Sequence, residues 1–468
     1  LSVAAKDDLI RALFAQVKFL TAQVSALTTE VAELKGRLAL NSRNSSKPSS
    51  TDGLAKPKPK PKSQRLAGQH PTGGQPGHQG HTLKRVAQPD HIATHRPPAR
   101  CDACLAPLAG NAIVVETRQV FDLPPLRFEV TEHQVLAVQC ACGKTCRGAF
   151  PDAVSAPVQY GPAALAAVVH LTHHHMLPVK RTAALMGDFF GLPMTDATVL
   201  AASEEASIRL GPTVTLIGLA IQSAKVAHAD ETGLRVAGSL HWMHVLATTL
   251  LTWVACHTKR GALAFDALAI LPDFLGTLVH DGWKPYRELN CQHALCNAHH
   301  LRELTYLFEE LKQAWAGRMI DLLRAACHEV NRVGGPLPAE RFADFYARYD
   351  EILAEGEALN PLAPLTGKRG RTRQSLAANL ILRLRNYADD VWRFATDPDV
   401  PFTNNLAEQA VRMPKVKQKI SGGFRTRNGA DIFCVIRSYL ATMHKQGGNL
   451  FHALTLSFQG QTPLPRFA

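Results

Sequence analysis

The chain has 468 residues, 46% hydrophobic and 19% charged, enough for two to four domains each with its own core. Lys and Arg exceed Asp and Glu by 13 and the sequence pI is near 9.4, a balance that favours a polyanionic partner, nucleic acid before membrane surface. No run of about 18 apolar residues reads as a membrane span and no secretory signal opens the chain, so a cytoplasmic, nucleoid-associated protein is expected.

Residues 1–40 carry a heptad. Ile10, Val17, Val24, Val31 and Leu38 hold one seam position and Leu13, Leu20, Leu27 and Leu34 the other. β-Branched residues at a with Leu at d favour a parallel two-stranded coiled coil, so this helix is expected to form a homodimer or a higher oligomer. The alternative is an amphipathic helix packed on its own chain. Residues 41–99 then lose apolar periodicity. Between Lys35 and Arg100 thirteen Lys and Arg stand against only Asp52 and Asp90, so this segment holds most of the positive excess. Its KPKPKPK run, with Lys56, Lys58, Lys60 and Lys62, reads as an extended basic arm along DNA phosphates, or else as a solvated linker.

Residues 100–152 read as a zinc-finger-like β module. Cys101 and Cys104 have the spacing that clasps one tetrahedral ion, and Cys140 and Cys142 complete a structural four-thiolate Zn²⁺ site, with Cys146 as an alternative ligand. The stretch between them, IVVETRQVFDLPPLRFEVTEHQVLAVQ, is strand-like. Residues 153–223 read as short helices, with a capped start near Thr195, forming either a DNA-binding helix–turn–helix or a support for the next domain. The triple histidine His173–His175 reads as a helix face and not as a ligand set.

At Lys225 the pattern becomes strands: KVAHADETGLRV, LHWMHVLATT and LLTWVACHT, then a helix, GALAFDALAILPDF, then a further strand, GTLVHDG. The order matches the first half of an RNase H-like mixed β-sheet, the catalytic core of a multidomain α/β chain (224–300, completed by 400–468). Such a sheet sets Asp230 beside Asp281. Glu231 is expected on the opposite face from Asp230, because neighbours on a strand alternate sides. Carboxylates grouped in a basic protein suit Mg²⁺, or Mn²⁺, which takes oxygen ligands; two such ions roughly 3.5–4 Å apart activate a water or a 3′-hydroxyl and stabilise the leaving oxygen. Glu408, near the start of a helix beginning at Thr403–Asn405, is the candidate third ligand; Asn405-Leu-Ala-Glu408 equally fits a capping box. Arg412, Lys417 and Lys419 lie on that helix as candidate DNA contacts, as does Lys415, although Pro414 threatens to interrupt it.

These motifs, HADETGLRV, LVHDGWKPY, HALCNAHHLREL and PFTNNLAEQAVRMPKVKQKISGGFRT, with NSRNSSKPSS and GGQPGHQGHTL upstream, together resemble the bacterial insertion sequence 66 transposase family over nearly the whole chain. The resemblance implies a DDE transposase with Asp230, Asp281 and Glu408 as its Mg²⁺ ligands, acting on double-stranded DNA at transposon ends and target, and a helical insertion over 301–399. It also implies accessory proteins from the same element. Cys296 and His299 resemble a CxxH element that comes after the second aspartate in related transposases; Cys291, His293, Cys296 and His299 form an alternative zinc cluster. The rival readings are a structure-specific nuclease on the same fold and a catalytically inactive, transposase-derived DNA-binding protein.

Overall fold

The structure, a computed structural model, describes residues 3–41, 44–45, 83–124, 126–191, 194–364, 372 and 374–467. Lys56, Lys58, Lys60 and Lys62 lie outside the described residues. The first element, α1 (Val3–Ala39), is one helix of 37 residues. Its seam from Ile10 to Leu38 is exposed along its length, and Ala39 and Leu40 pack on the folded body, with Gly36 beside Tyr306.

The strand-like stretch after Cys104 is a correction. Only β1 (Ala137–Gln139) and β2 (Thr145–Arg147) form a ladder, with Val138 opposite Cys146. Residues 112–124 run extended without a partner strand, and the Gln119 side-chain amide takes the place of a ladder by bonding both Val86 N–H (2.9 Å) and Val86 C=O (2.8 Å). Strand propensity without a second strand yields no sheet.

Helices α2 (Pro162–Val169), α3 (Val179–Phe190) and α4 (Asp196–Gln222) come next, with Thr195 capping α4 through Thr198 N–H. They share one apolar core with the C-terminal helices α13 (Arg427–Lys445) and α14 (Leu450–Phe458). The described helices of residues 153–223 thus pack against the chain's C-terminal helices.

The central sheet is mixed and has five strands: β3 (Val226–Val236), β4 (Ser239–Ala247), β5 (Thr252–His257), β6 (Thr277–His280) and β7 (Gln292–Leu295), in the order β5-β4-β3-β6-β7. The first three are antiparallel; β6 runs parallel to β3 and β7 parallel to β6. Alternation sorts β3 between two cores. Ala227 and Ala229 pack with Ile217 and Ile221 of α4, whereas Leu234 and Val236 pack with Phe433 and Cys434 of α13. The outer edge of β5 is closed by α13, where Ser438 Oγ accepts from Val254 N–H (2.8 Å) and Thr442 Oγ from Thr252 N–H (3.0 Å). A helix thereby covers groups that would otherwise pair with another chain.

Between β5 and β6 lies α5 (Ala262–Leu268), and between β6 and β7 the single turn α6 (Lys284–Arg287). After β7 the chain makes five helices, α7 (Asn297–Glu309), α8 (Ala314–Val333), α9 (Ala339–Leu359), α10 (Leu376–Asn386) and α11 (Ala388–Thr396). They bury Trp315, Tyr349 and Trp392 in a core that also takes Val279, Ala294 and Leu295 from the sheet. This excursion closes on itself, since Asn297 N–H bonds Phe402 C=O at 3.1 Å. Helix α12 (Asn405–Ser421) then crosses β3 and continues through a buried Pro414.

Candidate catalytic site

Asp230 sits midway along β3, opposite Val245 of β4, and its Oδ1 accepts from the N–H of Glu231 at 2.8 Å. Asp281 comes directly after the last residue of β6, where Gly282 takes φ of 84°, a left-handed turn that glycine adopts without strain. That turn folds the chain back so that Asp281 Oδ1 accepts from Trp283 N–H at 2.9 Å. β6 pairs with β3 only over Val226–His228, so beyond that point the two strands part and their carboxylates face one cleft. Glu408 enters from the first turn of α12. The three act on one another: burial first, then the charges of Glu231, Asp281 and Glu408, push the Asp230 carboxyl up to about 8. A carboxyl so crowded by negative charge is a site that a cation relieves.

The start of α12 differs from the capping-box alternative. Asn404, not Asn405, precedes the helix, and Glu408 N–H bonds Asn404 C=O at 3.1 Å. The Glu408 carboxylate is free to turn inward, with Oε1 at 3.8 Å from both Cys296 Sγ and His299 Nδ1, and Oε2 at 3.7 Å from Arg302 Nη2. Burial raises the Cys296 thiol to about 12, so it stays protonated and donates to Glu408. Burial, then Arg302, lower His299, whose Nδ1 faces the carboxylate, while the charges of Glu408 and Asp281 act the other way. Among the described residues, Cys296, His299 and Glu408 are the one group of three ligand-type side chains gathered within 4.8 Å. The alternative set with Cys291 and His293 is not gathered. Cys291 and His293 lie five and three residues before Cys296, about 16 and 10 Å back along the strand, and His293 Nδ1 instead meets His280 Nε2 at 3.2 Å.

Asn404, which the sequence shows only as part of a helix start, joins two elements of the candidate site. It is 1% exposed. Its Oδ1 meets His228 Nδ1 (3.0 Å), its Nδ2 donates to Ala229 C=O (2.8 Å) and its N–H donates to Cys296 Sγ (3.1 Å). One side chain thus ties the helix of Glu408 to the strand of Asp230. Glu231 plays a matching part behind the sheet. It lies with Ala227 and Ala229 on the face opposite Asp230, and its carboxylate is held by Arg260 (Nε to Oε1, 2.7 Å) and by the Tyr286 hydroxyl. Arg260 also lies 4.0 Å from the Trp283 ring centroid, and Tyr286 stacks on Phe265. Both Trp283 and Tyr286 belong to the segment just after Asp281, so this network braces Asp281 against the strand of Asp230.

The other expected residues are more dispersed. Lys415 is partly buried, with Nζ 3.4 Å from Gly233 C=O, and the charge of Asp230 acts on it. Arg412 and Lys419 are exposed, whereas Lys417 is partly buried and its charge reaches His173. Cys101 and Cys140 are each lowered by backbone N–H groups of the turns that hold Cys104 and Cys142. The two pairs and Cys146 are not gathered as a set of three or more among the described residues. His173 is buried against Ser203 Oγ (3.0 Å), while His170, His174 and His175 stack on one another and join no part of this site.

No helix of the described residues is long and apolar enough to cross a membrane. A family model described as Transposase IS66 family matches residues 157–432, more than half of the chain, and one described as Family of unknown function (DUF6444) matches residues 3–84. A search of curated proteins found no significant match.

Proposed function

The chain belongs to the IS66 transposase family, and from that premise we propose that it binds the terminal inverted repeats of its element and cleaves and joins DNA strands at Asp230, Asp281 and Glu408. The observation that carries this reading is that carboxylates from three distant segments face the cleft where β3 and β6 part: they are not gathered within 4.8 Å of one another, but the charges of Asp281 and Glu408 add to burial and to Glu231 in raising Asp230 to about 8. The strand order, with β3 central and β6 and β7 parallel to it, supports an RNase H-like core. An all-oxygen donor set of this kind fits a hard divalent cation better than a soft one. Two Mg²⁺ or Mn²⁺ ions held by the three carboxylates would supply charge neutralisation and an activated water or 3′-hydroxyl.

The chain's own groups do the positioning. Backbone N–H groups of Glu231 and Trp283 orient Asp230 and Asp281, and the Cys296 thiol and Arg302 orient Glu408. Lys415, near Asp230, is placed to draw a phosphate oxygen toward the cleft. Burial keeps the Cys296 thiol protonated; the attacking group in this reading is water or a DNA hydroxyl, and no protein–DNA bond is expected. The exposed seam of α1 supports pairing of two copies, which brings two transposon ends together. The cysteine pairs fit a structural zinc module, and accessory proteins of the element complete the reading.

Supercoiled plasmid carrying two element ends tests the proposal. Mg²⁺-dependent nicking at the ends and strand joining are expected for the native chain and lost in Asp230→Asn, Asp281→Asn and Glu408→Gln, with end binding retained. Undiminished joining by any one of the three variants refutes the triad.

A further inference from the structure

Between its short pairing with β6 and its far end, where Phe424 N–H and C=O bond Arg235 C=O and Ala237 N–H (2.9 Å each), the edge of β3 meets side chains in place of a strand, with Asn404 Nδ2 on Ala229 C=O (2.8 Å) and Lys415 Nζ 3.4 Å from Gly233 C=O. That edge opens on a cavity of about 530 Å³ lined by Arg235, Leu240, Trp242, Arg260, Lys415 and Gln418, among others. Its size is that of a small-ligand site, on the order of 300–1,000 Å³. The cavity lies beside the catalytic cleft: Glu231, the neighbour of Asp230 on the other face of β3, lines it, and so does Lys415, whose Nζ stands 3.4 Å from Gly233 C=O and which feels the charge of Asp230. From Asp230 to Arg235 the strand carries it on the order of 17 Å away.

Its walls have two characters. Arg235, Arg260 and Lys415 make it cationic, and its one lining carboxylate, Glu231, is already bound by Arg260 and Tyr286. The opposite character comes from Leu240, which is 57% exposed, and from the Trp242 ring, with the Arg260 guanidinium 4.8 Å from its centroid. Trp242 pairs across the strands with Gly233, where a Cβ would stand 3.2 Å from Leu240 and 3.6 Å from the Trp242 ring, so glycine keeps the floor open. Cations alone would suit the backbone of a duplex. An aromatic and aliphatic wall beside them engages the face of a base only when that base has left its stack.

Resting on the transposase reading above, we propose that this cavity is a subsite for an unpaired nucleotide flanking the scissile phosphodiester, its base against Leu240 and Trp242 and its phosphates toward Arg235 and Lys415. A protein that holds an unpaired base binds more tightly to DNA in which the pair is already broken, since the cost of opening has been met.

The test uses the full chain in Ca²⁺ and two duplexes carrying the element's end, one with a fully paired flank and one with three mismatched thymines in the flank. The native chain is expected to prefer the mismatched flank at least tenfold. Trp242→Ala should bring that ratio close to one while keeping affinity for the paired duplex, and Trp242→Phe should retain the preference. Leu240→Asp, at an exposed position that the fold does not need, should abolish it as well. A native chain without the preference, or Leu240→Asp with the preference unchanged, overturns the subsite. Failure of the native chain to bind either duplex would instead sink the transposase reading, and the subsite with it.

Discussion

Replacing Asp230 by Asn should stabilise the cation-free protein while ending catalysis. The fold moves this carboxyl from 3.8 to about 8, burial being the largest cause. Across that window the folded chain keeps a proton that the unfolded chain has lost, so the group's contribution to stability is fully present below 3.8 and falls away as pH rises toward 8. At pH 7 the shift corresponds to about 4 kcal/mol, at about 1.4 kcal/mol per unit. Solvent screening at a partly open cleft reduces this to about 2 kcal/mol. The assay is urea unfolding in EDTA, monitored by tryptophan fluorescence, since Trp242 and Trp283 both lie near the site. The Asn variant should unfold at higher urea than the native chain at pH 7 and 8, the gap should close toward pH 4, and Mg²⁺ should raise the native chain selectively. Equal midpoints for both proteins at pH 5 and pH 8 in EDTA would refute the claim that negative charge is crowded at this point.

The brace behind the sheet gives a second prediction. Tyr286→Phe removes one partner of a carboxylate that is 2% exposed and should cost about 1–3 kcal/mol of stability; cleavage should fall by as much as about 100-fold through displacement of Asp281, with end affinity unchanged in a binding assay. Asn404→Ala strips the two side-chain hydrogen bonds that join α12 to β3, leaving the backbone N–H on Cys296, and should cost about 1–3 kcal/mol, read by thermal denaturation. Changing Leu20 and Leu27 to Glu on the exposed seam should convert the assembled protein to monomers in sedimentation, with the fold of the catalytic sheet intact by circular dichroism. Metal analysis of the purified chain should find about one zinc per chain, lost in a Cys101→Ser, Cys104→Ser double variant.

Local chemistry makes part of this site legible. Alternating apolar residues mark β3, β4, β5 and β6, and the acids at Asp230, Asp281 and Glu408 stand out because each lies in a short motif at the end or middle of a recognisable element. Strand β7 is harder to see: it is only four residues long, and the cysteines around it point toward metal binding instead. The roles of Glu231 and Asn404 are equally hidden, because what defines them is their partners. Arg260 and Tyr286 lie 29 and 55 residues after Glu231, and His228 lies 176 residues before Asn404. Propensity depends on spacing along the chain, whereas these contacts depend on which strands become neighbours. The stretch beyond Cys104 misleads in the opposite direction, since its composition suits strands but the fold supplies it with no ladder.

The helical excursion whose ends are tied at Asn297 and Phe402 has a consequence for the order of events during synthesis. Asp230 and Asp281 leave the ribosome early, as do the basic segments before them, but Glu408 joins Cys296 across 112 residues and can do so only after five intervening helices have been made. Long-range contacts of this kind form late because the chain between them must be ordered first. The edge of β5 likewise waits for Ser438 and Thr442 of α13. If the proposed function holds, a nascent chain therefore has its basic segments in hand before its cleft is complete, and competence to break strands is reserved for molecules that have been finished.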